Sequence, residues 1–450
     1  MIRYHAAWVV PISEPPIANG VVAVDADRIA YVGPPEDAPD GTDEHLGNVI
    51  LMPGLVNAHC HLELTAMRGF LEDLEFRRWI LRLTAARRAV LDRDALLDSA
   101  RYGLEEGIRA GVTTYADTCD SGVVMQAMRE AGVRGIMYQE VFGPDPSQCE
   151  ESIRGLRERV AGLRYLETPL VRVGVSPHAP YTVSNDLFRA TAALARELDL
   201  PVAIHIAEST LEHQLVVEGA GAFADAWRRR GIDASPRARS PIALLESLDV
   251  LSAQPLLIHC VRVDAEDIRA IAGAHCGVAH CPASNTKLGH GIAPVDELLA
   301  AGVPVGLGSD SMASNNRMDL LEESRLALLL QRARLTSHEM PDAAGVLEMA
   351  TVGGAAAIGL ADLIGTLDAG KQADLAAFAI EHRRPTFDPV TAAVFSITGS
   401  AARFVTVAGR VLVRSGEMVA SNSGLAARME LLGGALADWL DAGGELSGAV

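Results

Sequence analysis

The stretch VILMPGLVNAHCH at residues 49–61 joins a long apolar run directly to two histidines. Such a run is typical of a strand that is buried on both faces. Because alternate residues of a strand point to the same side, His59 and His61 can present two imidazoles to one cation. A second cluster, Gly306-Leu307-Gly308-Ser309-Asp310, follows another apolar run far along the chain. A His-X-His pair alone is weak evidence, so the rest of the chain has to decide its meaning.

Composition limits the class of protein. The chain has 450 residues, of which 49% are hydrophobic and 22% charged, so we expect a globular protein with one large domain and a satellite. The formal net charge of −19 opposes binding to nucleic acid or to anionic lipid, both of which need a basic surface. A small-molecule substrate is favoured.

The cysteines and the apolar runs of the sequence predict the cellular compartment. Six cysteines include no Cys-X-X-Cys pair, as expected for reduced thiols. Residues 6–12 are too weakly apolar for a secretory signal, and no apolar run approaches the roughly 20 residues of a membrane span. We expect a cytoplasmic protein that does not enter a membrane.

Strand-like and helical segments alternate from residue 50 onward, which predicts a (β/α)8 barrel of the TIM type. The eight predicted strands are 50–58, 113–117, 135–141, 171–175, 202–206, 256–260, 277–279 and 303–307. Predicted helices include 93–110, 185–198, 318–332 and 344–360.

The two chain ends differ from the middle. Short β-like runs broken by Gly, Pro and Asp fill residues 1–50, and similar runs return at 373–380 and 404–411. We therefore predict a small β-sandwich from residues 1–50 and 365–420, a barrel over 51–364, and a helical extension over 421–450 with a helix near 424–442.

Barrel enzymes build their sites at the carboxyl ends of the strands, and the polar residues of this chain obey that rule. Six metal-capable or acid-base residues fall at successive strand ends: His59, His61, His178, His205, His259 and Asp310. Three histidines and one aspartate suit a single divalent ion with an open position for water. Zinc is the first choice, with iron or manganese as alternatives.

Glu208 lies three residues after His205, so it leaves the strand end close to the metal without needing to bind it. A carboxylate there can take the proton of an activated water and deliver it to the substrate. Binuclear barrels often carry a carboxylated lysine at the end of strand four. Residues 171–177 contain no lysine, which favours a mononuclear site.

The chain resembles the amidohydrolase superfamily, in the branch of nucleoside and nucleobase deaminases that also holds triazine hydrolases. The matching segments are residues 53–61 (PGLVNAHCH), 177–181 (PHAPY), 205–208 (HIAE), 259–261 (HCV), 281–288 (CPASNTKL) and 308–311 (GSDS).

This resemblance implies a role for each residue. The metal ligands are His59, His61, His205 and Asp310. Glu208 is the proton shuttle and a substrate-binding group, His259 polarises the attacking water, and Asp310 also stabilises the tetrahedral centre. His178 hydrogen-bonds the substrate, and Trp79 lines the pocket.

Departures from the family pattern bear on the substrate. Deaminases of S-adenosylhomocysteine and methylthioadenosine usually carry a ribose-binding glutamate where this chain has Arg87 and Arg88. Segments 61–64, 76–79 and 138–143 instead resemble 6-aminodeoxyfutalosine deaminases of menaquinone biosynthesis, whose substrate bears a carboxylate. An arginine could pair with that carboxylate, and the candidates are Arg68, Arg88 and Arg262.

The resulting expectation is a metal-dependent deaminase that releases ammonia from an adenine nucleoside, with 6-aminodeoxyfutalosine as the first choice. Deamination of S-adenosylhomocysteine or methylthioadenosine, and hydrolysis of a triazine, are the alternatives. A non-catalytic interaction protein would need broken metal ligands, and all four are present. Family habit suggests a homodimer.

Overall fold

The computed structural model describes residues 1–338, 341–397, 399, 401–420 and 423–444. The strands are β1 (Ile2–Val9), β2 (Ile17–Ala18), β3 (Val21–Asp25), β4 (Arg28–Gly33), β5 (Thr42–Pro53), β6 (Leu55–His61), β7 (Val112–Cys119), β8 (Arg134–Val141), β9 (Val171–Pro177), β10 (Ala203–Ile206), β11 (Leu256–His259), β12 (Gly277–His280), β13 (Val305–Leu307), β14 (Asp310–Ser311), β15 (Leu375–Ala379), β16 (Ala402–Val407), β17 (Arg410–Arg414) and β18 (Glu417–Met418).

The helices follow the same chain order. They are α1 (Phe76–Val90), α2 (Arg93–Arg109), α3 (Val123–Ala131), α4 (Cys149–Arg164), α5 (Asn185–Leu198), α6 (Thr210–His213), α7 (Gly221–Arg229), α8 (Pro241–Ser247), α9 (Ala265–Gly273), α10 (Pro282–Lys287), α11 (Val295–Ala300), α12 (Leu320–Leu335), α13 (Ala343–Met349), α14 (Val352–Ala357), α15 (Pro389–Phe395) and α16 (Leu425–Asp441). None of them, in the described part of the chain, carries an apolar stretch that could cross a lipid bilayer.

Strands β6 to β13 form the predicted barrel. Parallel pairing runs in chain order from β6 to β9 and again from β10 to β13. A backbone bridge between Val175 and Val202 joins β9 to β10. Beyond β13 the chain continues into β14, which pairs in parallel with β6. The ring of strands is thereby closed, and the predicted TIM-like fold class is confirmed.

The predicted strand 50–58 is wrong in its extent, because it covers the end of β5 and part of β6. Gly54 separates the two strands, and its N–H donates to the carbonyl of Asp374 at 2.8 Å. A Cβ at Gly54 would lie 2.2 Å from Oγ1 of Thr113, so only glycine fits at this crossing. The sequence did not reveal the break because the last residues of β5 and the first residues of β6 are both buried and apolar.

The chain ends form one nine-stranded sheet in the order β18-β17-β16-β15-β5-β1-β3-β4, with β2 attached to β1. Tyr4 and Phe404, from opposite ends of the chain, pack with ring centroids 4.8 Å apart. Strand β5 carries this sheet to Pro53, past the predicted boundary at residue 50. The domain boundaries themselves stay a prediction, and residues 398 and 400 of the predicted 365–420 segment lie outside the described residues.

The predicted helices agree with the structure where strong caps define them. Helix α5 has the predicted bounds because Ser184 accepts a hydrogen bond from the N–H of Leu187 at its start. The predicted helix 344–360 is instead two helices, α13 and α14. Helix α16 packs against α1 and α2, and its Trp439 ring also lies 6.3 Å from the ring of Phe70, which precedes α1. Positions 421–422 and 445–450 of the predicted extension lie outside the described residues.

Candidate metal centre and substrate pocket

The barrel brings the six predicted strand-end residues to one place. Strand β6 carries His59 and His61, and β10 carries His205. His178 follows β9 directly, His259 ends β11, and Asp310 begins β14. All six lie at the carboxyl ends of the strands, where a barrel of this type holds its chemistry.

Four of these side chains converge on a common point. Oδ1 of Asp310 lies 3.3 Å from Nε2 of His59 and 3.6 Å from Nε2 of His61. The Nε2 atoms of His61 and His205 are 3.3 Å apart. His59 is fully buried, and neither of its ring nitrogens has a hydrogen-bond partner among the described residues. A divalent cation would satisfy these facing lone pairs, and three nitrogens with one carboxylate oxygen are a donor set that such an ion takes.

Neighbouring groups fix which ring atoms face that point. Nδ1 of His61 lies 2.8 Å from the carbonyl of Thr118, so it is the protonated nitrogen and leaves the Nε2 lone pair free. Nδ1 of His205 lies 3.3 Å from the carbonyl of His178 and is oriented in the same way. These contacts select the tautomer that a metal needs.

The aspartate is held just as firmly. Oδ2 of Asp310 accepts hydrogen bonds from Oγ of Ser284 at 2.5 Å and from Oγ of Ser314 at 3.2 Å, which leaves Oδ1 directed at the histidines. Burial lowers the pKa of His59 and of His61, which favours the neutral imidazoles that bind metal. Burial would raise the pKa of Asp310, but the close approach of the His59 ring and of the neighbouring imidazoles holds it well below its usual range.

Glu208 lies beside this cluster with two histidines around its carboxylate. Oε1 of Glu208 is 3.6 Å from Nε2 of His259 and 3.3 Å from Nε2 of His290. Burial would raise the pKa of Glu208, but these two histidines bring it below its ordinary value. Nδ1 of His259 lies 3.0 Å from Oδ1 of Asn285, a contact that fixes the imidazole orientation. The carboxylate is therefore ready to accept a proton.

The backbone around Glu208 is also fixed. Both carboxylate oxygens of the buried Glu212 accept backbone hydrogen bonds at 2.8 Å, one from Ala207 and one from Glu208. Ala207 has a φ of +51°, a left-handed conformation that costs energy in a residue with a side chain. Glu212 offsets that strain and holds Glu208 at the strand end.

A pocket of about 440 Å³ opens over the cluster. Its apolar wall includes Phe76, Trp79, Phe142 and Tyr181, a composition that suits a flat ring. His178, also in the lining, has Nδ1 2.7 Å from Oγ1 of Thr182. The structure thus places Trp79 and His178 at the predicted pocket, while their roles stay predictions.

The three candidate arginines differ in whether they line the pocket. Arg88 lines the pocket, whereas Arg68 is ion-paired with Glu106 and neither Arg68 nor Arg262 belongs to the lining. Arg87 also lines the pocket, but it is ion-paired with Glu63 and with Asp120. Of the arginines considered, Arg88 alone is both at the pocket and without a described ion-pair partner.

Several residues of this site were missed by sequence reasoning. His290 and Ser284 follow β12 on a helix and loop, Ser314 follows β14, and Glu140 lies within β8. Ser284 lies in the motif segment 281–288 and Glu140 in the segment 138–143, but neither motif gives these two residues a role. His290 and Ser314 lie outside every motif, so their approach to the site depends on how the loops fold. A further signal is that polar residues accumulate in the segment 281–290, after a buried strand.

Comparison with known proteins identifies the family of this chain. Residues 50–412 match the amidohydrolase family. The chain therefore belongs to the amidohydrolase family, and it is a hydrolase that acts on non-peptide carbon–nitrogen bonds and uses a divalent metal.

Three similar proteins illustrate the relationship. A 5-methylthioadenosine/S-adenosylhomocysteine deaminase of Moorella thermoacetica is 36% identical over 421 residues, covering 91% of this chain and 93% of that protein. A 5'-deoxyadenosine deaminase of Methanothermobacter thermautotrophicus is 33% identical, covering 89% and 91%. The crystal structure of an adenosine deaminase from Xanthomonas campestris with bound zinc is 28% identical, with a TM-score of 0.87 over 97% of this chain and 98% of that one.

Proposed function

We propose that this protein is a zinc-dependent deaminase that replaces the 6-amino group of an adenine nucleoside with oxygen and releases ammonia. The observation that carries the proposal is that Glu208 lies beside the cluster of three histidines and one aspartate, under a pocket walled by aromatic side chains. The cluster consists of His59, His61, His205 and Asp310. The two relatives described above, which share more than 30% identity, are named as deaminases of adenine nucleosides, which supports the same reaction.

The chain's own residues account for the proton transfers. A zinc ion held by His59, His61, His205 and Asp310 would supply Lewis-acid activation of a water molecule. Glu208 takes one proton of that water and delivers it to the ring nitrogen next to the attacked carbon. It then transfers the remaining hydroxyl proton to the amino group, which leaves as ammonia. His259, oriented by Asn285, directs Nε2 to the site and polarises the attacking water there. The aromatic wall excludes water from the reacting face of the ring.

The substrate is expected to be a 5'-modified adenosine, and methylthioadenosine and S-adenosylhomocysteine are the first candidates. The relatives favour these two over the 6-aminodeoxyfutalosine that the sequence motifs suggest. The test is ammonia release by zinc-loaded protein from methylthioadenosine, S-adenosylhomocysteine, 5'-deoxyadenosine, adenosine, 6-aminodeoxyfutalosine and melamine. We expect turnover of at least one nucleoside and none of melamine. Turnover of melamine alone would assign the protein to the triazine hydrolases instead.

6-Aminodeoxyfutalosine stays a candidate because of Arg88, the unpaired arginine at the pocket. If that nucleoside is the substrate, Arg88→Ala should lower its kcat/KM by about 10- to 100-fold, since a guanidinium–carboxylate contact is lost. Methylthioadenosine, which has no carboxylate, should be unaffected by the change. Arg154→Ala, at an exposed position of α4, is the control. Equal kcat/KM values for Arg88→Ala and wild type on all substrates would remove the carboxylate hypothesis.

Two further predictions concern stoichiometry. Residues 171–177 of β9 contain no lysine to bridge two ions, so one zinc per chain is expected by metal analysis. A homodimer is expected from family habit, and its test is the mass of the protein in solution.

A further inference from the structure

The pocket contains a buried carboxyl group that neither the metal nor the proton transfer uses. Glu140, on β8, is 7% exposed and lines the pocket. Its Oε1 atom has no hydrogen-bond partner among the described residues. Buried polar atoms without partners are rare in native proteins and costly, so this oxygen calls for a ligand group.

The other carboxylates of the pocket are already engaged. Glu63 and Asp120 share the guanidinium of Arg87, and Glu63 also accepts a hydrogen bond from Ser121. Glu208 and Asp310 belong to the reacting end of the pocket. Glu140 is therefore the pocket carboxyl that remains free to meet a polar group of the substrate.

The surroundings of Glu140 define what that group is. Oε1 of Glu140 lies 4.0 Å from Nε2 of His178, too far for a direct hydrogen bond but suited to a group held between them. A hydroxyl both donates and accepts, so it can contact these two atoms at once. His178 packs against Phe142, which is 41% exposed. His178 and Phe142 therefore lie between the metal cluster and the open rim of the pocket.

The geometry points to Glu140 as a specificity-determining residue that binds, together with His178, a sugar hydroxyl of the nucleoside. This inference rests on the proposed deaminase function and adds the group that recognises the ribose. Burial, followed by the nearby Asp120 and Glu63, raises the pKa of Glu140 well above its usual range, which is consistent with a carboxyl that exchanges hydrogen bonds rather than pairing with a cation.

The test compares substrates with and without each hydroxyl. The nucleoside that the wild type deaminates fastest, its 2'-deoxy analogue and its 3'-deoxy analogue are assayed with wild type, Glu140→Leu and Glu140→Gln. Glu140→Leu should lower kcat/KM for the full nucleoside by about 10- to 100-fold, the cost of one hydrogen bond to a buried acid group. For the analogue that lacks the recognised hydroxyl, the kcat/KM values of wild type and Glu140→Leu should be nearly equal. Glu140→Gln, which keeps a carbonyl acceptor, should lose less.

Two controls separate recognition from structure. Glu158→Leu and Glu158→Gln make the same changes at an exposed position of α4 and should behave as wild type. Because Glu140→Leu removes an unpaired buried carboxyl, its Tm should equal or exceed that of the wild type. A lowered Tm with equal losses on all three nucleosides would overturn the inference in favour of a structural role.

Other outcomes bear on the inference directly. Glu140 also lies near His178 and His205 in a group that could hold a cation. If metal analysis found two zinc ions per wild-type chain and only one in Glu140→Leu, Glu140 would bind a second metal and not a sugar hydroxyl. An unchanged kcat/KM in Glu140→Leu would rule out the proposed role of Glu140 in substrate recognition. If the wild type releases ammonia from no nucleoside, the proposed function itself fails, a result distinct from every outcome that concerns Glu140.

Discussion

Glu208→Gln is expected to bind as much zinc as the wild-type protein and to lose turnover by about 10²- to 10⁴-fold. The amide has nearly the same shape as the carboxylate but cannot accept the proton of the attacking water. The metal should remain because Glu208 faces His259 and His290 rather than the point where the metal ligands converge. Ammonia release and metal content per chain, measured on the same preparation, check both halves of this result.

The control for this experiment is Glu218→Gln, which makes the same change at an exposed residue a few positions further along. It should have wild-type activity. If Glu208→Gln retained turnover, another group would have to carry the proton, and Glu208 would be a structural residue. Loss of the metal together with activity would instead place Glu208 in the coordination of the ion.

The metal cluster is the part of the site that the sequence predicts best. His59 and His61 stand at i and i+2 on a buried strand, and this spacing alone directs both side chains to one face. His205 and His259 lie in the last two positions of their strands and Asp310 begins one, so the barrel topology is sufficient to bring them to the same rim. The spacing along one strand and the location of barrel sites at the carboxyl ends of the strands therefore predict these positions.

The pocket wall is harder to predict because it depends on contacts between distant segments. The sequence shows Arg87 and Arg88 side by side on a helix, but not that one pairs with Glu63 and Asp120 while the other stays free. Glu140 looks like any residue of a buried strand until its neighbours are known. The same limit explains the misplaced strand at Gly54, where the end of one strand and the start of the next are both buried and apolar.

Asp310→Asn is the second change with a large expected effect, because it replaces the anionic member of the donor set. Oδ1 of Asp310 lies within 3.6 Å of the Nε2 atoms of His59 and His61, and its negative charge offsets part of the charge of a divalent ion. An amide oxygen of the same shape carries no such charge. We expect metal content to fall well below one ion per chain, and kcat/KM to fall by at least about 10³-fold because water is no longer activated.

The fold should survive this substitution, since Ser284 and Ser314 can still hydrogen-bond the amide oxygen. Metal analysis, ammonia release and thermal unfolding with and without added zinc measure the three consequences. A ligand that binds only the folded state stabilises it, so zinc should raise the Tm of the wild type more than that of Asp310→Asn. Asp362→Asn, at an exposed position, should match the wild type in all three measurements. Full metal content and activity in Asp310→Asn would show that the three histidines suffice to hold the ion, and the aspartate would then be a hydrogen-bonding residue rather than a ligand.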